Sequence, residues 1–278
     1  MFRVKFWGVR GSIPLPGPNT IKFGGNTSCV EVDCGSEIVI IDGGTGLRPL
    51  GLDLIQRGAI TNGRTLSIFF SHVHWDHIQG FPFFRPAFMP DVRINLYGSK
   101  HSDIDIETSL RGQMVAPHFP LRLRDMPSKI SFKGIGMDET IQAGPATVTS
   151  VELVHPNGAI GYRVACEGKS IVYFSDHEDP DAPDQRLMDF AQGADILIYD
   201  AMYTPDEYSG ADGGGGRKGW GHSTWKKGTD FARRADIKQL ILFHHGRADD
   251  QITKIEALAR EEFPNTTAAY EGLEIRLA

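Results

Sequence analysis

The chain has 278 residues, with 29 Lys and Arg against 35 Asp and Glu, for a formal net charge of −6. Apolar residues make up 40% and charged residues 23%, the balance of a globular protein with room for a large core. The acidic balance argues against tight backbone-driven binding of long nucleic acid, and no apolar run is long enough to span a membrane. The N-terminus, Met1-Phe2-Arg3-Val4-Lys5, reads as a strand and not as a signal peptide. Three cysteines, Cys29, Cys34 and Cys166, are too few and too odd in number for a disulfide framework, which points to a reducing cytoplasm.

Strand-like runs, β-branched or aromatic and bounded by Gly, Pro, Asn or Asp, recur along the whole chain. In the first half they are Phe2–Val9, Ser28–Val32, Glu37–Asp42, Thr65–Ser71, Arg93–Tyr97 and Lys129–Lys133. Helical patterns at Leu47–Arg57 and Asp103–Met114 interrupt them. Strands follow at Ala146–Val154, Ile160–Ala165 and Ser170–Phe174. The last hundred residues alternate: helix Asp184–Ala194, strand Asp195–Tyr199, helix Trp225–Ala235, strand Gln239–Phe243 and helix Ile252–Phe263. Ser223 and Thr224 are candidate caps of the fourth helix, and Asp249 and Asp250 of the fifth. Mixed sheets covered by helices, an α/β class, fit this order. No repeat or linker divides it. The tract Gly210–Gly221 holds seven glycines and is expected to be a mobile loop.

The sharpest feature is Ser71-His72-Val73-His74-Trp75-Asp76-His77, directly after the apolar run Leu66–Phe70. Three histidines and an aspartate this close together cannot all be core residues. At a strand end, irregular backbone can aim several of them at one point. Imidazole and carboxylate without thiolate suit zinc, manganese or iron. His72-x-His74-x-Asp76-His77 resembles the metal signature of the metallo-β-lactamase fold. That resemblance implies further ligands at later strand ends. His155, Asp176 and His244 each stand at one.

By the same resemblance His72, His74 and His155 would bind one divalent metal ion. Asp76, His77 and His244 would bind a second, and Asp176 would bridge the two with a water or hydroxide between. The implied fold is a four-layer αββα sandwich formed by one hydrolase domain over 1–278. Asp42, in Ile41-Asp42-Gly43-Gly44, would brace the histidine loop. His245 competes with its neighbour His244 for the ligand position, and His244 matches the family. His101 and His118 have no motif partner, and His177 lies beside Asp176.

Leu197-Ile198-Tyr199-Asp200-Ala201 followed by Gly221-His222-Ser223-Thr224 resembles paired segments of the ribonuclease Z branch. Asp200 and His222 would there form an acid–base pair beside the metals. The interval from Asp176 to His222 must hold a helix, a strand and the glycine tract. It leaves no room for the long basic tRNA-gripping arm of that branch. Trp7-Gly8-Val9-Arg10-Gly11-Ser12-Ile13-Pro14, Gly24-Gly25-Asn26-Thr27-Ser28-Cys29 and Gly80-Phe81-Pro82-Phe83-Phe84 resemble bacterial relatives near the cyclic-nucleotide phosphodiesterases of this fold. The resemblance implies a cytoplasmic binuclear-metal hydrolase of small nucleotide phosphodiesters, using a metal-bridging hydroxide with Asp76, His222 and Asp200 as catalytic groups. Homodimerisation is implied as well. The alternatives are a ribonuclease of the ribonuclease Z type, then a lactonase or thioesterase, then a non-catalytic nucleotide sensor.

Around that centre the residues leave roles open. The Gly24–Ser28 turn could hold phosphate or ribose, or could be structural. Phe81, Phe83 and Phe84 could wall a base slot or pack the core. Tyr208, Arg217 and Lys218 could ride on a lid. Arg10 could bind phosphate or pair with an internal carboxylate.

Overall fold

A computed structural model describes residues 2–60, 65–100, 105–179 and 184–277. The strands are β1 (Phe2–Gly8), β2 (Cys29–Asp33), β3 (Ile38–Ile41), β4 (Thr65–Phe69), β5 (Arg93–Ser99), β6 (Lys129–Ile135) and β7 (Thr140–Ala143), then β8 (Ala146–Leu153), β9 (Ala159–Cys166), β10 (Lys169–Phe174), β11 (Ile196–Asp200), β12 (Gln239–Phe243), β13 (Thr266–Ala268) and β14 (Glu274–Leu277). The helices are α1 (Leu47–Gln56), α2 (Trp75–Ile78), α3 (Ile106–Gln113), α4 (Gln185–Ala191), α5 (Pro205–Ser209), α6 (Trp225–Arg234) and α7 (Asp249–Glu262).

Two seven-stranded sheets form, in the orders β14-β1-β2-β3-β4-β5-β6 and β13-β12-β11-β10-β9-β8-β7. In each, one half is antiparallel and the other parallel: β3 to β6 run parallel in the first, and β10 to β13 in the second. The strand pattern explains the layering. In β3, Val39 and Ile41 join the core between the sheets, whereas Ile38 and Ile40 join a second core under α1 and α3. In β12, Ile241 and Phe243 face the other sheet while Leu240 and Leu242 face α6 and α7. A strand buried on both faces needs an unbroken apolar run, which these are. The result is the expected four-layer αββα sandwich.

Several boundaries differ from the expectation. The strands β7, β13 and β14 and the short helices α2 and α5 went unread in the sequence. Asp105 caps α3 by accepting from Thr108 N, and Asp103, where the expected helix starts, lies outside the described residues. Thr224 caps α6 as anticipated. Asp249 and Asp250 sit inside the first turn of α7 instead of capping it.

β3, β4, β10, β11 and β12 all end at one edge of the sandwich. Three of those exits share a backbone device. Asp42 after β3, Asp176 after β10 and His244 after β12 adopt positive φ values of 62°, 56° and 63°. Left-handed backbone is costly for a non-glycine residue, on the order of 1–3 kcal/mol, and collects where side chains must be aimed.

Candidate metal centre

His72 and His74 lie in the loop leaving β4, and α2 begins at once and carries Asp76 and His77. The loop after β8 contributes His155. Asp176 follows β10, Asp200 ends β11, His222 precedes α6 and His244 follows β12. Most of these side chains gather into two groups, His72/His74/His155/Asp176 and Asp76/His77/Asp176/His244, with candidate ligand atoms within 4.8 Å of one another in each, and Asp200/His222/His244 make a third.

Asp176 belongs to both groups and divides its oxygens between them. Its Oδ1 lies 3.1 Å from Nε2 of His77 and of His244. Its Oδ2 lies 3.7 Å from Nε2 of His72 and of His155. Asp76 Oδ2 sits 3.2 Å from His77 Nε2 and 3.1 Å from His244 Nε2. His155 Nε2 and His74 Nδ1 are 3.1 Å apart.

This donor set fits divalent cations. The buried Nε2 of His72 has no hydrogen-bond partner, an expensive state unless a cation takes the lone pair. At His77 burial is outweighed, and the carboxylates of Asp176, Asp76 and Asp42 push the imidazole well up. Burial alone would push the Asp76 and Asp176 carboxyls up. The imidazoles of His77 and His244, joined at Asp176 by His72, hold both carboxyls well below the usual range. Burial pushes His72 well down and His74 and His155 down as well, which keeps them neutral and ligand-ready. Nitrogen and oxygen donors alone suit zinc, manganese or iron.

A second layer of contacts fixes the rings. Asp42 accepts from Ser71 N at 2.7 Å, from Ser71 Oγ and from Tyr173 OH at 2.7 Å. Its Oδ2 stands 2.8 Å from His77 Nδ1, and Ser71 Oγ stands 3.0 Å from His72 Nδ1. One buried carboxylate thus orients a ring from each group. Asp76 accepts from Ser12 N at 2.7 Å. His155 Nδ1 lies 2.8 Å from the Gly221 carbonyl.

His222 stands between the groups, its ring centroid 5.2 Å from His155 and 5.0 Å from His244. Its Nδ1 is 2.8 Å from Asp200 Oδ2. Burial would lower its pKa, but the Asp200 carboxylate prevails and pushes it up to about 9. Met202 N and His177 N both donate to Asp200 and hold it in place.

The open roles resolve as follows. Arg10 is fully buried and binds no free surface: Nε donates to the Gly24 carbonyl, one terminal nitrogen to the Arg247 carbonyl and the other to Asp249. In the Gly24–Ser28 turn Asn26 and Thr27 spend their polar groups internally, while the buried Ser28 hydroxyl has no partner among the described residues. Asn26 donates twice to Glu271, and Thr27 and Thr45 exchange backbone-to-hydroxyl bonds. Phe81 and Phe84 are core residues, so they wall no base slot, whereas Phe83 is exposed and edge-on to Phe119.

Among the remaining histidines, His245 turns away from the cluster toward the Ala269 carbonyl, 3.1 Å off, and burial pushes it down to about 3. His177 packs between Phe174 and Tyr199. His118 is exposed, and His101 lies outside the described residues.

Sequence reasoning missed Ser12, Ser71, Tyr173 and Glu178. The Glu178 carboxylate accepts from Gly219 N, Gly221 N and Tyr208 OH, at 2.7 to 2.9 Å. The tract expected to be a free loop is therefore tied at its far end to the segment that carries Asp176. Glu178 was legible only as a carboxylate two residues past a ligand, and nothing local marks Tyr173 as anything but core.

The model of the β-lactamase superfamily domain matches residues 38–245. Ribonuclease Z of Bacillus subtilis (strain 168) is 24% identical over 265 residues, covering 76% of this chain and 80% of its own. The metallo-β-lactamase fold protein YhfI from Bacillus subtilis superposes with a TM-score of 0.71 at 19% identity, over 99% of this chain and 98% of its own. A diphosphatase from the PhnP family superposes with a TM-score of 0.69 at 18% identity, over 100% and 98%. With its paired histidine–aspartate groups at the expected edge of the sandwich, the chain belongs to the β-lactamase superfamily domain family, as a metallo-hydrolase of its ribonuclease Z-like branch.

Proposed function

We propose that this protein is a two-metal phosphodiesterase acting on small nucleotide phosphodiesters, cyclic nucleotides among them. The observation that carries the reading is the His222–Asp200 pair, poised between both metal groups. An imidazole held by a carboxylate is a proton donor for a departing alkoxide. Carbonyl chemistry at the same centre, as in a lactonase, has less need of one.

In this reading His72, His74, His155 and Asp176 would hold one divalent cation, and Asp76, His77, His244 and Asp176 a second. Bound there, the cations would supply Lewis acidity toward phosphoryl oxygens and acidify water. Asp76, anchored by Ser12 N, orients the attacking water. His222 gives the proton of Nε2 to the leaving oxygen while Asp200 holds Nδ1. Asp42 keeps the rings of His72 and His77 in place throughout.

A small substrate is supported by how the interval between Asp176 and His222 is used. Its described residues are taken up by α4, β11, α5 and the glycine-rich turn. With the net charge of −6 this disfavours a tRNA-length ligand. The relative named ribonuclease Z keeps the second reading, endonucleolytic cleavage of RNA, in contention.

Hydrolysis of a panel by zinc- or manganese-loaded protein decides between them. The panel holds 2′,3′- and 3′,5′-cyclic nucleotides, bis(p-nitrophenyl) phosphate, a tRNA precursor and a lactone. Opening of a cyclic nucleotide, lost in Asp76→Ala, is the expected result. Cleavage of the precursor alone, with steep salt dependence, establishes the ribonuclease. Turnover of the lactone alone, or of nothing, overturns both.

A further inference from the structure

Beside the metal centre a cleft of about 500 Å³ runs between the glycine-rich turn and the start of α7. Its walls include Met202, Tyr203, Glu207, Arg217, Arg247 and Gln251. Two of its lining residues adjoin the site. Met202 N donates to Asp200, and the Tyr203 ring stands edge-on to His222 with centroids 5.9 Å apart. The cleft therefore lies on the His222 side of the centre, where the proposed reaction releases its leaving group.

The polar groups of the cleft are unequally spent. Arg247 is neutralised: it pairs with Glu207 at 2.8 Å and donates to the Met202 carbonyl, so the two form a rigid wall. Arg217 is not. It donates to the carbonyls of Gly214 and Gly215 and lies over the Trp220 ring, 5.2 Å from its centroid. Among the described residues no carboxylate forms an ion pair with it. Nor is the Tyr203 hydroxyl or the Gln251 amide engaged by a hydrogen bond there. One uncompensated guanidinium, a phenol, an amide and the apolar Met202 make a pocket for a nucleoside that carries a phosphate. The volume lies within the range of small-molecule sites.

We propose that this cleft binds the departing nucleotide of the substrate, with Arg217 gripping a second phosphate that is not cleaved. The inference rests on the phosphodiesterase reading and narrows it. A ring-opened cyclic nucleotide keeps both ester oxygens on one ribose and carries a single phosphate, so it leaves Arg217 without a partner. A short linear phosphodiester with a terminal phosphate on its leaving nucleotide fills the cleft.

Calorimetric titration of the zinc-loaded full chain with adenosine 5′-monophosphate and adenosine 3′,5′-bisphosphate tests this. Either ligand offers one phosphate to the metals, so the difference between them reads the second phosphate. The bisphosphate should bind about ten-fold more tightly, the scale of one charge-assisted contact. Arg217→Ala should bring the two affinities within about two-fold of each other. Arg217→Glu should reverse their order. Equal affinities in the wild-type protein, or a preference that survives Arg217→Ala, would overturn the assignment. Hydrolysis of bis(p-nitrophenyl) phosphate by the same preparation reports on the parent reading separately. A bisphosphate preference without hydrolysis would sink the phosphodiesterase and leave the cleft standing. Hydrolysis without the preference would do the reverse.

Discussion

Nδ1 of His222 lies 2.8 Å from Oδ2 of Asp200, and Asp200 is itself pinned by the backbone N–H groups of Met202 and His177. The carboxylate thus fixes the imidazole's tautomer before any substrate arrives. Asp200→Asn and His222→Ala should each lower kcat on an aryl phosphodiester by roughly 10²–10⁴-fold. Because one group acts through the other, the double variant should be little worse than either single. Bound zinc, read by elemental analysis, should stay at the wild-type stoichiometry. Loss of zinc from His222→Ala would make His222 a ligand instead.

Asp76 is nearly buried between His77 and His244 and takes the Ser12 N–H. Its removal leaves those imidazoles without their anion but no strand without a partner. Asp76→Ala should therefore lose measurable turnover while keeping the wild-type circular dichroism spectrum. Activity near the wild-type level would refute the role assigned to it.

Asp42 belongs to neither metal group, yet it sets Ser71, Tyr173 and His77. Asparagine tolerates the positive φ at this position but puts an amide N–H₂ where oxygen must accept. Asp42→Asn should weaken metal binding by about 10–100-fold. Competition with a chromogenic chelator measures this directly, and an unchanged affinity would reduce Asp42 to a packing residue.

Gly221 has φ +82°, and a side chain there would run into His155 and Pro156. Gly221→Ala should displace the His155 ring and reduce both turnover and zinc content. Glu178→Gln, which replaces one acceptor oxygen by a donor facing the N–H groups of Gly219 and Gly221, should do the same more mildly. Arginine exchange at the remote pair Arg233 and Glu262 serves as a control and should leave the site untouched.

Asp179 is buried beside Tyr199, and that burial raises its carboxyl to about 6. A folded pKa above the ordinary 3.8 favours folding when the group is protonated. The contribution is complete below about pH 4 and disappears as pH rises through about 6. At neutral pH the ionised form costs the fold on the order of 3 kcal/mol. Asp179→Asn should be the more stable protein at pH 7.5 and should lose that advantage by pH 4, as read by chemical denaturation at both values. A gap that does not change with pH would contradict the linkage.

Much of the architecture was legible because it rests on local pattern. Runs such as Ile38–Ile41 and Gln239–Phe243 announce strands buried on both faces. β7, β13 and β14 escaped because they are short and carry polar residues among the apolar ones, and they acquire their identity only from a neighbouring strand. The exposed Phe83 and the buried Phe81 and Phe84 share one four-residue stretch, and composition could not separate them.

The sequence by itself determined the chemistry of the centre. Histidines and carboxylates packed into His72–His77 and repeated at strand ends leave little but cation binding as their use. Only the tertiary structure decided how they meet. It divided the oxygens of Asp176 between two groups, turned His244 inward and His245 away, and sank Arg10 onto Asp249 and two carbonyls. It also set Asp42, Asp176 and His244 in left-handed backbone. None of these has a local signal. Each depends on where the ends of distant strands fall once two sheets have packed face to face, and on a backbone conformation that the surrounding fold enforces against the residue's own preference.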